Sequence, residues 1–185
     1  ASIGAKTAEG QLHLGEMSSY NIKKINPETK IIGVIAEFAE NSMSRHMHNA
    51  CFGKLGLDFV YIPFKTKPEE LGQFVENFRK FGFHGASVTL PHKEAIIKYI
   101  DGLEDTAKEI GAVNTLVADN GKIKGYNTDH TGAVSALKEK TGIKGRKVLV
   151  IGAGGGSRAI VYGLKKEGAI VTVANRSAER AQKLA

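Results

Sequence analysis

The sequence has no tryptophan, one cysteine, four prolines and only 7% aromatic residues among its 185. A single thiol, Cys51, excludes an internal disulfide framework and the common cysteine-rich zinc sites, which makes a reducing, cytoplasmic setting the expectation. No run of about 18 or more apolar residues occurs, so no membrane-spanning helix is expected. The opening residues, Ala1 to Lys6, lack the long apolar core of a secretory signal. Acidic residues are scarce at one end only. Residues 1–137 hold 15 Lys/Arg against 16 Asp/Glu, while residues 138–185 hold 11 against 3, which is the origin of the net charge of +7. Such a basic block suits a polyanion, and a nucleic-acid-binding module is the reading from another class. The block has no aromatic-interleaved basic stripe, its one aromatic being Tyr162, so no nucleic-acid partner is expected. The excess is read instead as a phosphate-bearing cofactor site and a missing acidic remainder of the chain.

What is present reads as globular: 42% hydrophobic and 24% charged residues. Strands and helices alternate, the sign of an α/β fold with a mixed, mostly parallel sheet flanked by helices. Residues 30–36, 59–64 and 86–90 are predicted strands. Residues 44–55 have helical spacing, with Met47, Ala50, Cys51 and Leu55 on one face taken as core, and Gly56 as the stop. Pro68 opens a helix with apolar positions Leu71, Phe74, Val75 and Phe78, and another helix follows Pro91 through Ile100. Asn120-Gly121 predicts a hairpin joining 113–118 to 122–126, and Asp129 starts a helix to about Lys140. The polar stretch 141–145 is a candidate hinge. The expected organisation is a substrate-binding and catalytic domain over 26–141, then the first part of a Rossmann-type cofactor domain over 146–185. One βαβ unit with a further helix cannot cover both faces of its sheet, so the chain is expected to be a fragment.

Gly152, Ala153, Gly154, Gly155, Gly156 and Ser157 lie directly between a predicted strand, 148–151, and a predicted helix, 158–166. In that context glycines make a tight turn and let backbone N–H groups at a helix start approach a pyrophosphate. A flexible glycine turn is the plain alternative. About 20 residues on, an NAD site carries a carboxylate for the ribose 2′-hydroxyl. Here the next strand runs into Asn175, Arg176 and Ser177, with no carboxylate and one guanidinium. That chemistry suits a 2′-phosphate, so the expected cofactor is NADP; a solvated arginine is the alternative.

Three polar patches sit at strand-to-helix junctions, where α/β proteins place ligands. Ser42 and Ser44 can hold a carboxylate, or one of them can simply cap a helix. Lys93 follows a buried strand and can exchange protons once partly desolvated, or it is a surface lysine. Asp129 is a candidate partner for it or an N-cap, and between them Asn114 offers an amide that donates and accepts. No metal is expected: His46 and His48 are two apart on a helix and face different sides, and Cys51 reads as core.

The ordered set Ser42-Met43-Ser44, Ser87-Val88-Thr89-Leu90-Pro91-His92-Lys93, Ile110 to Thr115, Gly125-Tyr126-Asn127-Thr128-Asp129 and Gly152 to Gly156 resembles the shikimate dehydrogenases. The resemblance implies reversible NADP-dependent reduction of 3-dehydroshikimate to shikimate. It implies Lys93 and Asp129 as the catalytic pair, Ser42 and Ser44 as carboxylate ligands, and Thr89 and Asn114 as ligands of ring hydroxyls. Two departures stand out: Ser87 occupies a position where many members have asparagine, and Glu37-Phe38-Ala39-Glu40 replaces the usual proline-containing approach to the serines. A quinate dehydrogenase and a fragment that binds substrate without turnover remain alternatives. Ala1 to Leu12 is similar to the closing segment of a type I 3-dehydroquinate dehydratase, which implies that residues 1–25 are the tail of an upstream dehydratase domain in the same native chain; an ordinary N-terminal extension is the alternative.

Overall fold

The computed structural model describes residues 25–39 and 42–185. The dehydratase-like tail expected over 1–25 lies outside the described residues up to residue 24. In chain order the first elements are β1 (Lys30–Ala36), α1 (Ser44–Leu55), β2 (Phe59–Lys65), α2 (Leu71–Lys80), β3 (Gly85–Val88), α3 (His92–Ala95) and β4 (Gly102–Leu103). They are followed by α4 (Asp105–Ile110), β5 (Thr115–Asp119), β6 (Lys122–Tyr126), α5 (Asp129–Lys138), β7 (Lys147–Ile151), α6 (Gly155–Lys166), β8 (Ile170–Ala174) and α7 (Ala178–Leu184). Six strands form one sheet in the order β2-β1-β3-β5-β6-β4, parallel on the β2, β1, β3 side and turned antiparallel at β3–β5 and β5–β6. β7 and β8 pair in parallel as a separate sheet. Among the described residues no helix is long and apolar enough to cross a membrane.

The main core lies where α2 and its neighbours cover the six-stranded sheet. Leu71, Val75 and Phe78, at helical spacing, meet Ile35, Val88, Leu116 and Ile123 from alternate strand positions. A second core joins Val134 of α5, Ile143, Val150 of β7, and Val161 and Leu164 of α6. The α5–α6 approach depends on Gly163, where a Cβ would stand 2.7 Å from a Val134 methyl. The predicted strand at 86–90 ends early, so Thr89 and Leu90 leave the ladder and lead into α3. α4 was not foreseen, although its signals are ordinary: the Glu104 side chain accepts from Ala107 N, and Gly111 ends the helix at φ +69°.

The predicted helix at 44–55 forms with the opposite face inward. Met47, Ala50, Cys51 and Leu55 are exposed, and the reading of Cys51 as core is wrong. The reason is a polar contact. Asn49, the buried residue of α1, donates from Nδ2 to Tyr61 O at 3.0 Å, and its Oδ1 accepts from Tyr61 N at 2.8 Å. β2 is an edge strand, so the amide pairs with backbone groups that have no neighbouring strand. Phe52, half-buried beside it, packs against the small cluster of Val34, Ala36, Ala39 and Tyr61. Because Asn49 satisfies both polar groups of a buried residue, Asn49→Ala is expected to lower unfolding free energy by about 2 kcal/mol. Urea titration checks this, and an unchanged midpoint would refute the account.

Candidate active site

The cleft opens at the end of the six-stranded sheet where β1 and β3 deliver their chains into α1 and α3. It encloses about 770 Å³ and is lined by Ser44, His48, Tyr61, Ser87, Thr89, Lys93, Asn114, Thr128 and Asp129 among others. Lys93 rides on the short α3 immediately past β3, and its carbonyl accepts from Val113 N at 2.8 Å, which ties the helix to the segment that leads through Asn114 into β5. Asp129 opens α5. The two meet: Lys93 Nζ donates to Asp129 Oδ2 at 2.5 Å, with side chains only 16% and 28% exposed.

The alternatives left by the sequence at these positions can now be separated. Asp129 is not an N-cap; Thr128 holds that place, and the backbone N–H of Asp129 is taken by Asn127 Oδ1 at 3.0 Å. Its carboxylate is free for Lys93, and its second oxygen accepts from Asn114 Nδ2 at 2.9 Å. Asn114 is fully engaged. Its other Nδ2 proton goes to Thr128 Oγ1, and its Oδ1 accepts from Thr115 Oγ1 and Thr128 N. The amide expected to meet a ligand therefore also orients the carboxylate. Lys93 is a half-buried lysine in a cleft rather than a surface one.

Ser44 lines the cleft at its far end, whereas Ser42 Oγ accepts from Ser44 N at 3.3 Å in the turn before it. Two further residues there, Tyr61 and His48, escaped the sequence reading. Tyr61, buried at the back of the cleft, donates to Ser87 Oγ at 2.9 Å, and its ring stacks on His48 with centroids 4.3 Å apart. Burial pushes the Tyr61 phenol above its ordinary value, partly offset by hydrogen bonds to Ser87 and Ser44, and burial lowers His48. Tyr61 was legible only as a strand residue and His48 only as a helix residue; their meeting is tertiary. His92 is buried with Nε2 2.8 Å from Thr66 O, a structural contact.

The glycine loop stands against this cleft. Gly152 takes φ +114°, a region that favours glycine, and donates to Ala174 O at 2.7 Å. A Cβ on Gly152 would meet Ser157 Oγ at 2.9 Å, so the small serine does the close-packing task of a third glycine. α6 starts at Gly155, three residues before the predicted start, with no side-chain cap, and Arg158 N is its first amide bonded back into the helix. Positions 154 and 156 face open space, where a Cβ would meet nothing within 4 Å. Unbonded N–H groups on an open surface at a helix start fit a phosphate. Gly155 instead faces inward: a Cβ there would lie 2.7 Å from Lys93 Cβ. At the end of β8, Ser177 caps α7 by accepting from Arg180 N, and Asn175 Nδ2 donates to Ser177 O. The Arg176 guanidinium is exposed and has no partner among the described residues.

The chain matches two family models, the shikimate dehydrogenase substrate binding domain over residues 34–116 and shikimate / quinate 5-dehydrogenase over residues 135–185. It is 46% identical over 162 residues to a shikimate dehydrogenase (NADP(+)) of Methanothermobacter thermautotrophicus, covering 87% of this chain and 57% of that protein. The crystal structure of shikimate dehydrogenase from Aquifex aeolicus superposes with a TM-score of 0.83 at 47% identity, over 87% of this chain and 61% of that one. The Thermus thermophilus shikimate 5-dehydrogenase in complex with NADP(H) and shikimate gives 0.77 at 36% identity, over 84% and 59%. The chain thus spans less than two thirds of the length of these relatives. The order of the cleft motifs, the sheet that positions them and the sequence matches agree: the chain belongs to the shikimate dehydrogenase family.

Proposed function

We propose that the chain carries the catalytic groups of an NADP-dependent shikimate dehydrogenase, an oxidoreductase that reversibly reduces 3-dehydroshikimate to shikimate. The observation that carries the reading is the Lys93–Asp129 pair, set in a polar-lined cleft with the glycine loop against the stem of the lysine. Bound NADPH supplies the hydride. The remaining work falls to residues of this chain. As the substrate carbonyl is reduced, negative charge grows on its oxygen, and the Lys93 ammonium stabilises that charge and delivers a proton to the same oxygen. Asp129 holds the amine in place and supports its charge, and is itself held by Asn114. In the oxidative direction Lys93 Nζ takes the hydroxyl proton. Ser44 and Ser42 are assigned to the substrate carboxylate, and Thr89 and Asn114 to ring hydroxyls, Asn114 by exchanging its Nδ2 bond to Thr128 for one to the ligand while keeping Asp129.

The loop Gly152, Ala153, Gly154, Gly155 and Gly156, with unbonded amides past Gly152, is assigned to the cofactor pyrophosphate. Arg176, flanked by Asn175 and Ser177, is assigned to the 2′-phosphate, a role its unpaired guanidinium supports. The working units are residues 26–141 for substrate and 146–185 for cofactor, with 141–145 between them. Residues 1–25 are read as the end of an upstream dehydratase domain, and the setting as the reducing cytoplasm, in which the exposed Cys51 stays a thiol. The same acid–base pair could serve quinate, which the name of the second family model also covers.

In the full-length protein, Lys93→Met keeps the stem that packs on Gly155 and removes the proton. It is expected to lower kcat for shikimate oxidation by ~10² or more with NADP affinity unchanged; near-normal turnover would remove Lys93 from the mechanism. Comparing kcat/KM on shikimate and quinate with the parent protein is expected to favour shikimate, and a strong preference for quinate would overturn the assignment. Arg176→Ala is expected to weaken NADP binding by roughly tenfold or more while leaving NAD binding unchanged, read by fluorescence titration of the two reduced nucleotides. Equal losses for both would place Arg176 away from the 2′-phosphate.

A further inference from the structure

The residue next to the catalytic lysine carries a second set of contacts that the proposed chemistry does not use. Glu94, half-buried on α3, points away from the cleft toward the nucleotide side. Its Oε2 lies 3.2 Å from Arg158 Nε of α6, and its Oε1 accepts from Arg180 Nη2 of α7 at 3.0 Å. Two guanidiniums from the two helices that flank β8 thus converge on one carboxylate of the other half of the molecule. Arg158 is committed to this place. Its Nε is buried with no aligned hydrogen-bond partner, and its Nη1 lies 3.4 Å from where a Cβ on Gly111, the last turn of α4, would stand.

We propose that Glu94 is a positioning residue: it clasps α3 to α6 and α7 through Arg158 and Arg180, and so fixes the placement of Lys93 against the glycine loop. The geometry leaves little slack. Gly155 and Lys93 are already in contact through a glycine that has no Cβ to spare, and Ala112 would lie 3.4 Å from a Cβ at the same position. The electrostatics run the same way. Lys93, Arg158, Arg180 and the uncapped start of α6 put positive charge around this junction, and Asp129 is committed to Lys93. Neutralising Glu94 leaves a partly buried guanidinium without its counter-charge, a larger effect than loss of an exposed ion pair. The same repulsion then pushes α6 away from α3. Other links across the junction, Lys138 with Glu167 and Lys166 with Glu109, are more exposed than the Arg158–Glu94 pair and do not involve α3.

The catalytic part of this inference rests on the dehydrogenase reading, while its geometric part does not. Spin labels at Lys80→Cys and Lys147→Cys, two exposed positions on either side of the junction, in a Cys51→Ser background, report the inter-domain distance in the full-length protein without ligands. A single narrow distribution is expected in the parent, a broadened or lengthened one in Glu94→Gln, and recovery in Glu94→Asp, which keeps the carboxylate. In the unlabelled proteins Glu94→Gln is expected to lower kcat about tenfold with KM for shikimate within about twofold and the melting temperature little changed, and Arg158→Met added to it should cost little more. An unaltered distance distribution in Glu94→Gln overturns the clasp. Altered distances with unchanged kcat overturn the link to Lys93. A parent without shikimate turnover overturns the dehydrogenase reading and that link, and leaves the distances to decide the clasp alone.

Discussion

The contact between Gly155 and Lys93 is the constraint on which the rest of the molecule turns. In the proposed reaction a lysine that gives a proton to a carbonyl oxygen must stand beside the group that is reduced, and the group that binds the reductant must come close without filling that space. Glycine at the inner position of the loop meets both needs, since a Cβ would lie 2.7 Å from the lysine stem. The amine is then aimed from its far end. Asp129 takes Nζ, Asn114 takes Asp129, and Thr115 and Thr128 take Asn114, so the carboxylate has few arrangements left open. The chain of bonds begins on β5 and ends on α5, which also packs on α6 of the nucleotide side.

The sheet topology explains why these groups meet although they lie 36 residues apart. Parallel strands deliver their C-terminal ends to one edge, and the helices that follow begin there. β3 places Lys93 on that edge. The antiparallel turn at β5 and β6 then returns the chain to it, so that Asn127, Thr128 and Asp129 arrive from the other side. Asn127, buried, bonds Ala112 O through Nδ2 and Asp129 N through Oδ1, which fixes the turn between strand and helix.

Much of this was legible in the sequence, because the signals were local. Strand 30–36, the Asn-Gly hairpin and the strand–glycine–helix order at 148–166 depend on neighbours within a few residues, and the structure follows them. The resemblance brought Lys93 and Asp129 together before any distance was known. What was misjudged depends on partners far away. The face of α1 was assigned by hydrophobicity, and a buried asparagine decided otherwise, since pairing the edge of β2 outweighs burying Met47 and Cys51. Tyr61 and His48 gave no signal because each is ordinary in its own element and becomes part of the cleft only when α1 packs on β2. Gly155 was read as one of several loop glycines, with no hint that its missing side chain makes room for a lysine.

The basic C-terminal block also takes on a different meaning once its charges are placed. Arg158 and Arg180 face Glu94, Lys138 faces Glu167, Lys166 faces Glu109 and Lys183 faces Glu179, so five of the block's eleven cations are held in ion pairs, two of the four carboxylates coming from outside the block. Lys144, Arg146 and Lys147 lie at the opening end of β7, opposite the end from which the glycine loop leaves. Arg176 differs from both groups. It stands just past the C-terminal end of β8, beside the strand whose end carries the loop, with no partner of its own. A polyanion needs many cations spread along one face, and these cations are scattered, with five of the eleven paired to carboxylates. One free guanidinium next to unbonded helix-start amides instead matches a small ligand that bears phosphate at two points, which is the chemistry the glycines alone could not distinguish.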